Sequence, residues 1–335
     1  MNKTNTQSPF SFLLGIGLTL IIALIAGQIT KLPFFSIMGM MIIAILLGMA
    51  WNAFLKVPDS IKGGVSFSSR YLLRAGIILM GLRLNLQQIL DAGWPVLLTD
   101  IIVIVITIFG MYYIGKLLKV DPHLNILLSV GTAICGAAAV VAIASVLKSK
   151  QEDTAVSVAW VAILGTITSL FYIFLFPILE MHPYNYGVLV GATLHEIAHV
   201  IASTIPGGVE SDTIGIVVKL GRVALLLPVA LIIGSIFGEK ASSNEKKSLK
   251  NLPIPWFIFG FLAMSVVNTL NIFPQSFTNA LIPISSYLLA MAMAGLGLGI
   301  NLSDFKKAGL KPAIQGVLGT VLVCGIGIIM LYLLF

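Results

Sequence analysis

Apolar runs of about twenty residues recur along the whole chain, separated by short polar connections. Eleven such runs read as membrane-spanning helices, at roughly 10–30, 34–55, 68–84, 95–117, 124–147, 154–178, 186–205, 212–237, 253–272, 279–299 and 313–335. The short alternating segments of an outer-membrane barrel are not found, so the pattern predicts an all-α polytopic membrane protein of about eleven transmembrane helices. The lipid bilayer is then its first partner.

Composition sharpens this reading. Hydrophobic residues make up 58% of the 335 and charged residues 10%, with a mean hydropathy of +1.04, which excludes a soluble globular protein. The first apolar run follows a short polar N-terminus with no clear small-residue cleavage pattern, so it is read as a retained helix. Cys135 and Cys324 both lie in apolar surroundings and suggest neither a disulfide framework nor a cysteine metal site.

The net charge of +7 comes from basic residues dispersed over short connections, which argues for topology and against a nucleic-acid partner. A cytoplasmic N-terminus places Lys56, Lys62, Lys116, Lys119, Lys240, Lys246, Lys247, Lys250, Lys306, Lys307 and Lys311 inside, and the C-terminus outside. Lys148 and Lys150 fall on the wrong side in this count, which marks the fifth span as short or broken.

An internal repeat runs through the chain. Ser69, Tyr71-Leu-Leu, Gly81-Leu82, Asn85-Leu86 and Ala92-Gly93 recur at one constant offset as Ser285, Tyr287-Leu-Leu, Gly297-Leu298, Asn301-Leu302 and Ala308-Gly309. A weaker echo joins Leu32-Pro33 to Leu252-Pro253. The copies, around 32–117 and 252–335, are separated by an odd number of spans and so run in opposite directions, with core spans 124–237 between them, all within one transmembrane domain, 1–335. Inverted repeats are typical of secondary transporters, with the site near the midplane.

The chemistry concentrates between the copies. Gly191-Ala-Thr-Leu-His195-Glu196-Ile-Ala-His199-Val-Ile-Ala-Ser203 would place Gly191, His195, His199 and Ser203 on one stripe if helical throughout. Ionisable groups at membrane depth face a protein interior or a watery cavity and mark function. The small-residue run from Val130 to Ser145, with Gly131, Thr132 and Gly136, resembles this segment and reads either as close packing or as a discontinuous helix whose N–H groups face an anion. Lys219 and Arg222 lie on one side of the eighth span, to neutralise Glu196 or Asp100, or to contact an anionic substrate.

Three readings of these residues stay open. His195-Glu196-x-x-His199 matches the zinc metallopeptidase motif, although a third ligand is not evident and no cofactor or bound metal is expected. A secondary transporter of a small anion would use Lys219, Arg222, the two histidines and the glycine-broken helices, with Glu196 as proton-coupling group or competing counter-ion. A cation/proton antiporter would use Glu196 in the opposite sense, against repulsion from Lys219 and Arg222.

The paired motifs at 131–139 and 191–200, in an eleven-span chain of this length, resemble the bacterial YeiH-type family, for which sulfate export has been proposed. The family is similar to the cation/proton antiporter and bile-acid-type anion transporter superfamily. The resemblance implies a bacterial inner-membrane transporter, not an enzyme, with panel and core domains and broken helices crossing near the midplane. It also favours sulfate, sulfite or a sulfonate as substrate and leaves a homodimer open. Gly81-Leu-Arg-Leu-Asn85 and Gly297-Leu-Gly-Ile-Asn301 resemble that superfamily's paired core motifs. No second broken helix follows span ten, so span seven is expected to take that role.

Overall fold

A computed structural model describes residues 8–32, 35, 39–237, 256–299 and 309–335, which are helical almost throughout and contain no strand. Lys240, Lys246, Lys247, Lys250, Lys306, Lys307, the Pro33/Pro253 echo and the repeat residues Asn301, Leu302 and Ala308 lie outside the described residues. The helices are α1 (Pro9–Ile29), α2 (Met40–Leu55), α3 (Lys62–Phe67), α4 (Leu73–Met80), α5 (Leu86–Asp91), α6 (Trp94–Leu117), α7 (Pro122–Ala133) and α8 (Ala137–Leu147). They continue as α9 (Gln151–Leu179), α10 (Pro183–Thr193), α11 (Ile197–Thr204), α12 (Gly208–Ala224), α13 (Leu226–Phe237), α14 (Trp256–Thr269), α15 (Gln275–Gly299) and α16 (Lys311–Leu334). A π-helical turn, Ser68–Leu72, joins α3 to α4. Six stretches among the described residues are long and apolar enough to cross a membrane.

Two bundles form. One holds α1 to α4 with α14 and α15; the other holds α6 to α12 with α16, with α13 packed on α8. The internal repeat is visible in how the first is packed. A Cβ at Gly81 would strike the Phe261 carbonyl on α14, and a Cβ at Gly297 would strike the Ile45 carbonyl on α2. The offset that carries Gly81 to Gly297 also carries Ile45 to Phe261, so the two contacts are one contact repeated about a pseudo-twofold. The third and tenth predicted spans are antiparallel: Gly295 approaches Ser69, Gly76 approaches Leu289, and Arg83 bonds to Ser286 at 3.0 Å.

The second bundle differs from expectation. The fifth and seventh runs do break, but each folds back on itself instead of continuing across. In the first, Gly131 packs on Val140 and His123 Nδ1 lies 3.0 Å from Ser149 Oγ, so α7 and α8 are the arms of a hairpin. In the second, the Tyr186 hydroxyl on α10 donates to the Ser203 carbonyl at the far end of α11, at 2.9 Å. The arms, of 12 and 11 residues in hairpin 1 and of 11 and 8 in hairpin 2, span about 12–18 Å, roughly half of a hydrocarbon core about 30 Å thick. Both are therefore re-entrant, and the number of full traverses is smaller than the number of apolar runs.

This rearrangement accounts for the misplaced lysines. Because hairpin 1 (α7–α8) returns to the end it left, Lys119, Lys150 and Lys311 line one cavity, and Lys148 lies beside Arg70 and Gln151 in the next. Lys56 and Lys62 share that same end through Gln151. Hairpin 2 (α10–α11) starts from the opposite end, where Tyr184 packs against Phe335. The hairpins approach one another from opposite sides.

Candidate substrate site at the hairpin tips

Each hairpin is launched in the same way. Asp121 and His182 cap the backbone of His123 and Tyr184, at 2.9 and 3.3 Å, and a proline follows at the first helical position. Polar contacts then pin the arms. Gln315 Nε2 on α16 donates to Asn125 Oδ1 at 2.6 Å, while Asn125 Nδ2 reaches the Tyr112 carbonyl at 3.0 Å. At hairpin 2 the Ser169 and Ser203 hydroxyls meet at 2.6 Å.

The tips are non-helical for different reasons. In tip 1, Gly136 sits at φ +71°, a conformation that a side chain resists, and its N–H closes on the Gly131 carbonyl at 2.9 Å. Gly131 itself is helical and packs on Val140 and Val161. In tip 2, Leu194 and Glu196 are extended. Each tip thus ends one helix, with orphan carbonyls, and begins another, with orphan N–H groups.

α12 runs past both tips and supplies the cations. Lys219 Nζ donates to the Ile134 carbonyl of tip 1 at 2.6 Å and to the Leu194 carbonyl of tip 2 at 2.5 Å. Arg222 bonds to Ala133 with one guanidinium nitrogen and to Ala192 at 2.6 Å with the other, with longer approaches to Thr132, Gly191 and Leu194. Two buried positive charges therefore neutralise the negative ends of α7 and α10 together. Among the described residues, neither forms an ion pair with Glu196 or Asp100. Both cations are held by backbone carbonyls of the tips, whichever of the two roles read from the sequence they serve.

Glu196 occupies the opposite pole. Its Oε1 accepts the Ala137 N–H, the first of α8, at 3.3 Å, and Glu196 itself precedes the first turn of α11. A Cβ at Gly136 would lie 2.5 Å from Glu196 Cγ, so the glycine also makes room for the carboxylate. The two positive half-helix ends face one buried carboxylate.

The histidines flank this centre, but not on one helical stripe. His195 lies within the tip, and only His199 is on α11, because the helix stops at Thr193 and restarts at Ile197. The helical presentation on which the zinc motif depends is not formed, and no metal-ligating group of three His, Cys, Asp or Glu side chains occurs among the described residues. His199 Nε2 lies 3.2 Å from Thr166 Oγ1, and His195 Nε2 lies 3.5 Å from Thr320 Oγ1. Gly165 on α9 makes room for the His199 ring and for Cβ of His195. Nothing local in the sequence pointed to Thr166, Gly165 or Thr320, which are single small or polar residues in apolar runs.

Five buried polar atoms around the tips have no partner: Thr132 Oγ1, His195 Nδ1, His199 Nδ1, Glu196 Oε2 and Arg222 Nε. Both Asp100 oxygens are also unpartnered, beside Gly221 on α12. Buried polar groups are nearly always satisfied, so this concentration makes the tips the candidate site for a polar ligand or proton.

Comparison with known proteins agrees with the fold. Residues 14–316 match the family described as "Conserved hypothetical protein 698". A UPF0324 membrane protein of Bacillus cereus is 51% identical over 328 residues, covering 98% of this chain and 93% of the relative. The chain belongs to the UPF0324 membrane protein family. Further UPF0324 members from Listeria monocytogenes and Staphylococcus aureus are 44% and 38% identical, over 96% of both chains and 97% of both chains respectively. The likeness to the YeiH-type family is thus upheld, and the chain is a multi-pass membrane protein of that family.

Proposed function

We propose that this protein is a secondary transporter of a small anion, with sulfate, sulfite or a sulfonate as the first candidates. The observation that carries the reading is the meeting of two opposed hairpin tips at one centre, with Lys219 and Arg222 on their carbonyl ends and Glu196 on their N–H ends. Inverted repeats that place broken helices around a central site are the usual architecture of secondary transport.

The charge arrangement supports an anion coupled to a proton. Lys219, Arg222, Glu196 and Asp100 are formally balanced when both carboxylates are ionised. Protonation of Glu196 leaves an excess positive charge and weakens its hold on the Ala137 N–H, so a small anion gains both a field and donors. Thr132, His195 and His199 surround that position, Gly131 and Gly136 shape it, and Lys219 and Arg222 set its potential without needing to touch the ion. The lysine-rich end is cytoplasmic by the positive-inside rule, which puts Lys148 and Lys150 with Lys119 and Lys311, the N-terminus inside and the C-terminus outside, in a bacterial cell membrane.

One observation favours a second reading, cation/proton exchange. Lys219 and Arg222 are already engaged by carbonyls, so they repel a cation less than the sequence suggested, and Glu196 Oε2 has no partner.

The test is flux in proteoliposomes after a jump in sulfate or sulfite, at two pH values, for wild type and Glu196→Gln. Saturable anion uptake whose pH dependence disappears in the variant is expected. Sodium- or potassium-driven proton movement without anion flux would replace this reading by the second.

A further inference from the structure

A cavity of about 380 Å³ opens between the two bundles at the end opposite the lysines. Gln88, Asn271 and Gln275 form an exposed polar rim, and Arg83, Asn85 and Asn268 of the first bundle stand in the wall below it. Ile201 of α11 and Ile216 of α12 face them from the second bundle. The floor is buried and includes Ile197 and Leu220, which follow Glu196 and Lys219 in the chain. The cavity therefore runs from the surface down to the chain neighbours of both poles of the hairpin tips.

A second cavity, of about 600 Å³, lies between the bundles at the lysine-rich end, where Gln151 of α9 meets α2, α3 and the end of α15. The offset of the internal repeat relates the two. It pairs Leu82 with Leu298, Arg83 with Gly299, Asn268 with Asn52, Thr278 with Lys62 and Ile282 with Ser66. In every pair the first residue lines the first cavity and the second lines the other. One site is thus built twice, once at each end, about the pseudo-twofold that relates the copies. The shape is repeated but the cations are not: Arg83 stands where its mate is a glycine, and Lys62 where its mate is Thr278. Arg83 Nη2 donates to Ser286 Oγ at 3.0 Å, while its buried Nε has no partner. A guanidinium anchored at one nitrogen and unsatisfied at another is suited to an oxyanion, and a cation in a cleft raises the local concentration of anions.

We propose that the two cavities are the opposite ports of the site at the hairpin tips, and that Arg83 selects anions at the outer one. This deepens the reading of the protein as an anion transporter and rests on it. A sulfate- or sulfonate-like group entering from outside meets Arg83 first, with Ile197 and Leu220 between it and the two poles.

The experiment uses the full chain, lacking Cys135 and Cys324 and carrying Ile201→Cys, in bacterial spheroplasts. Two impermeant methanethiosulfonates are added from outside, the anionic sulfonatoethyl and the cationic trimethylammonium reagent, and their rates of modification are compared. The anionic reagent is expected to be favoured. Arg83→Gln should lower the anion-to-cation rate ratio by about fivefold or more, the effect of one unit charge in a partly wet cleft, whereas Arg83→Lys should largely keep it. Gln275→Glu, at the exposed rim, should lower the same ratio and keeps the test sound if Arg83→Gln fails to fold. Absence of modification from outside, or a ratio that neither variant moves, would overturn the proposal. The labelling requires no transport. Failed sulfate flux with the preference intact would therefore count against the tips as an anion site, and sulfate flux without the preference would count against Arg83.

Discussion

Arg222 and Lys219 act on the backbone of two hairpins at once. A surface arginine typically contributes little to stability, whereas removing one partner from a buried, hydrogen-bonded charge network costs about 3–5 kcal/mol. Arg222→Gln is expected to lower the melting temperature of purified protein sharply, while Arg70→Gln leaves it nearly unchanged; equal stabilities would contradict the clamp. Gly136 is a second decisive residue. Alanine there must hold a positive φ, at a cost of about 1–3 kcal/mol, and must also meet Glu196. Gly136→Ala should therefore reduce both thermal stability and transport, and a fully active, equally stable variant would show that tip 1 is more permissive than its geometry implies. Glu196, His195, Lys219 and Arg222 stand out in the sequence because ionisable groups in an apolar run are conspicuous. The partners of Lys219, Arg222 and Glu196 were not visible, since backbone carbonyls and N–H groups leave no trace in residue type.

At the scale of elements, helices and strands are easily separated by apolar periodicity, and every predicted run overlaps helix where the structure is described. The breaks were also legible, through Gly131 to Gly136 and through the His195-Glu196 pair. What periodicity cannot report is whether a broken helix continues or turns back, since both leave two apolar arms around a polar tip. The shared cap-proline pairs, Asp121-Pro122 and His182-Pro183, were the available signal that both arms start afresh. Gln315 anchors one base: Gln315→Leu leaves Asn125 without its 2.6 Å donor and should cost about 1–3 kcal/mol, read as a lower melting temperature. No loss would mean that Asn125 is satisfied by its own helix and Tyr112 alone.

For the whole molecule, the hairpins change the arithmetic of sidedness. A chain in which the fifth run crossed the bilayer would place residues 119 and 150 on opposite faces; a re-entrant hairpin places them on the same one. In a background lacking Cys135 and Cys324, Lys119→Cys and Lys150→Cys should both react with an impermeant thiol reagent from the cytoplasmic face only. Labelling from opposite faces would restore a crossing helix. The constant offset of the repeat was legible because Gly81 and Gly297 sit against carbonyls of the neighbouring helix, which leave no room for a side chain, and Gly93 and Gly309 both take a positive φ. The second copy of the hairpin precedes its matching long helices, whereas the first follows them, and a linear comparison of the two halves hides that rotation of order.

α9 and α12 each follow a hairpin and pass the tips, yet one brings Gly165 and Thr166 there and the other Lys219 and Arg222. The scaffold repeats itself while its ionic furniture does not. In the transport cycle proposed above, exchange of inward- and outward-facing forms would consequently have no symmetry to make them isoenergetic, and the protein would dwell unequally in the two. Under that proposal the bias would set which face offers the higher-affinity port at rest, even where the gradients alone dictate the direction of net flow.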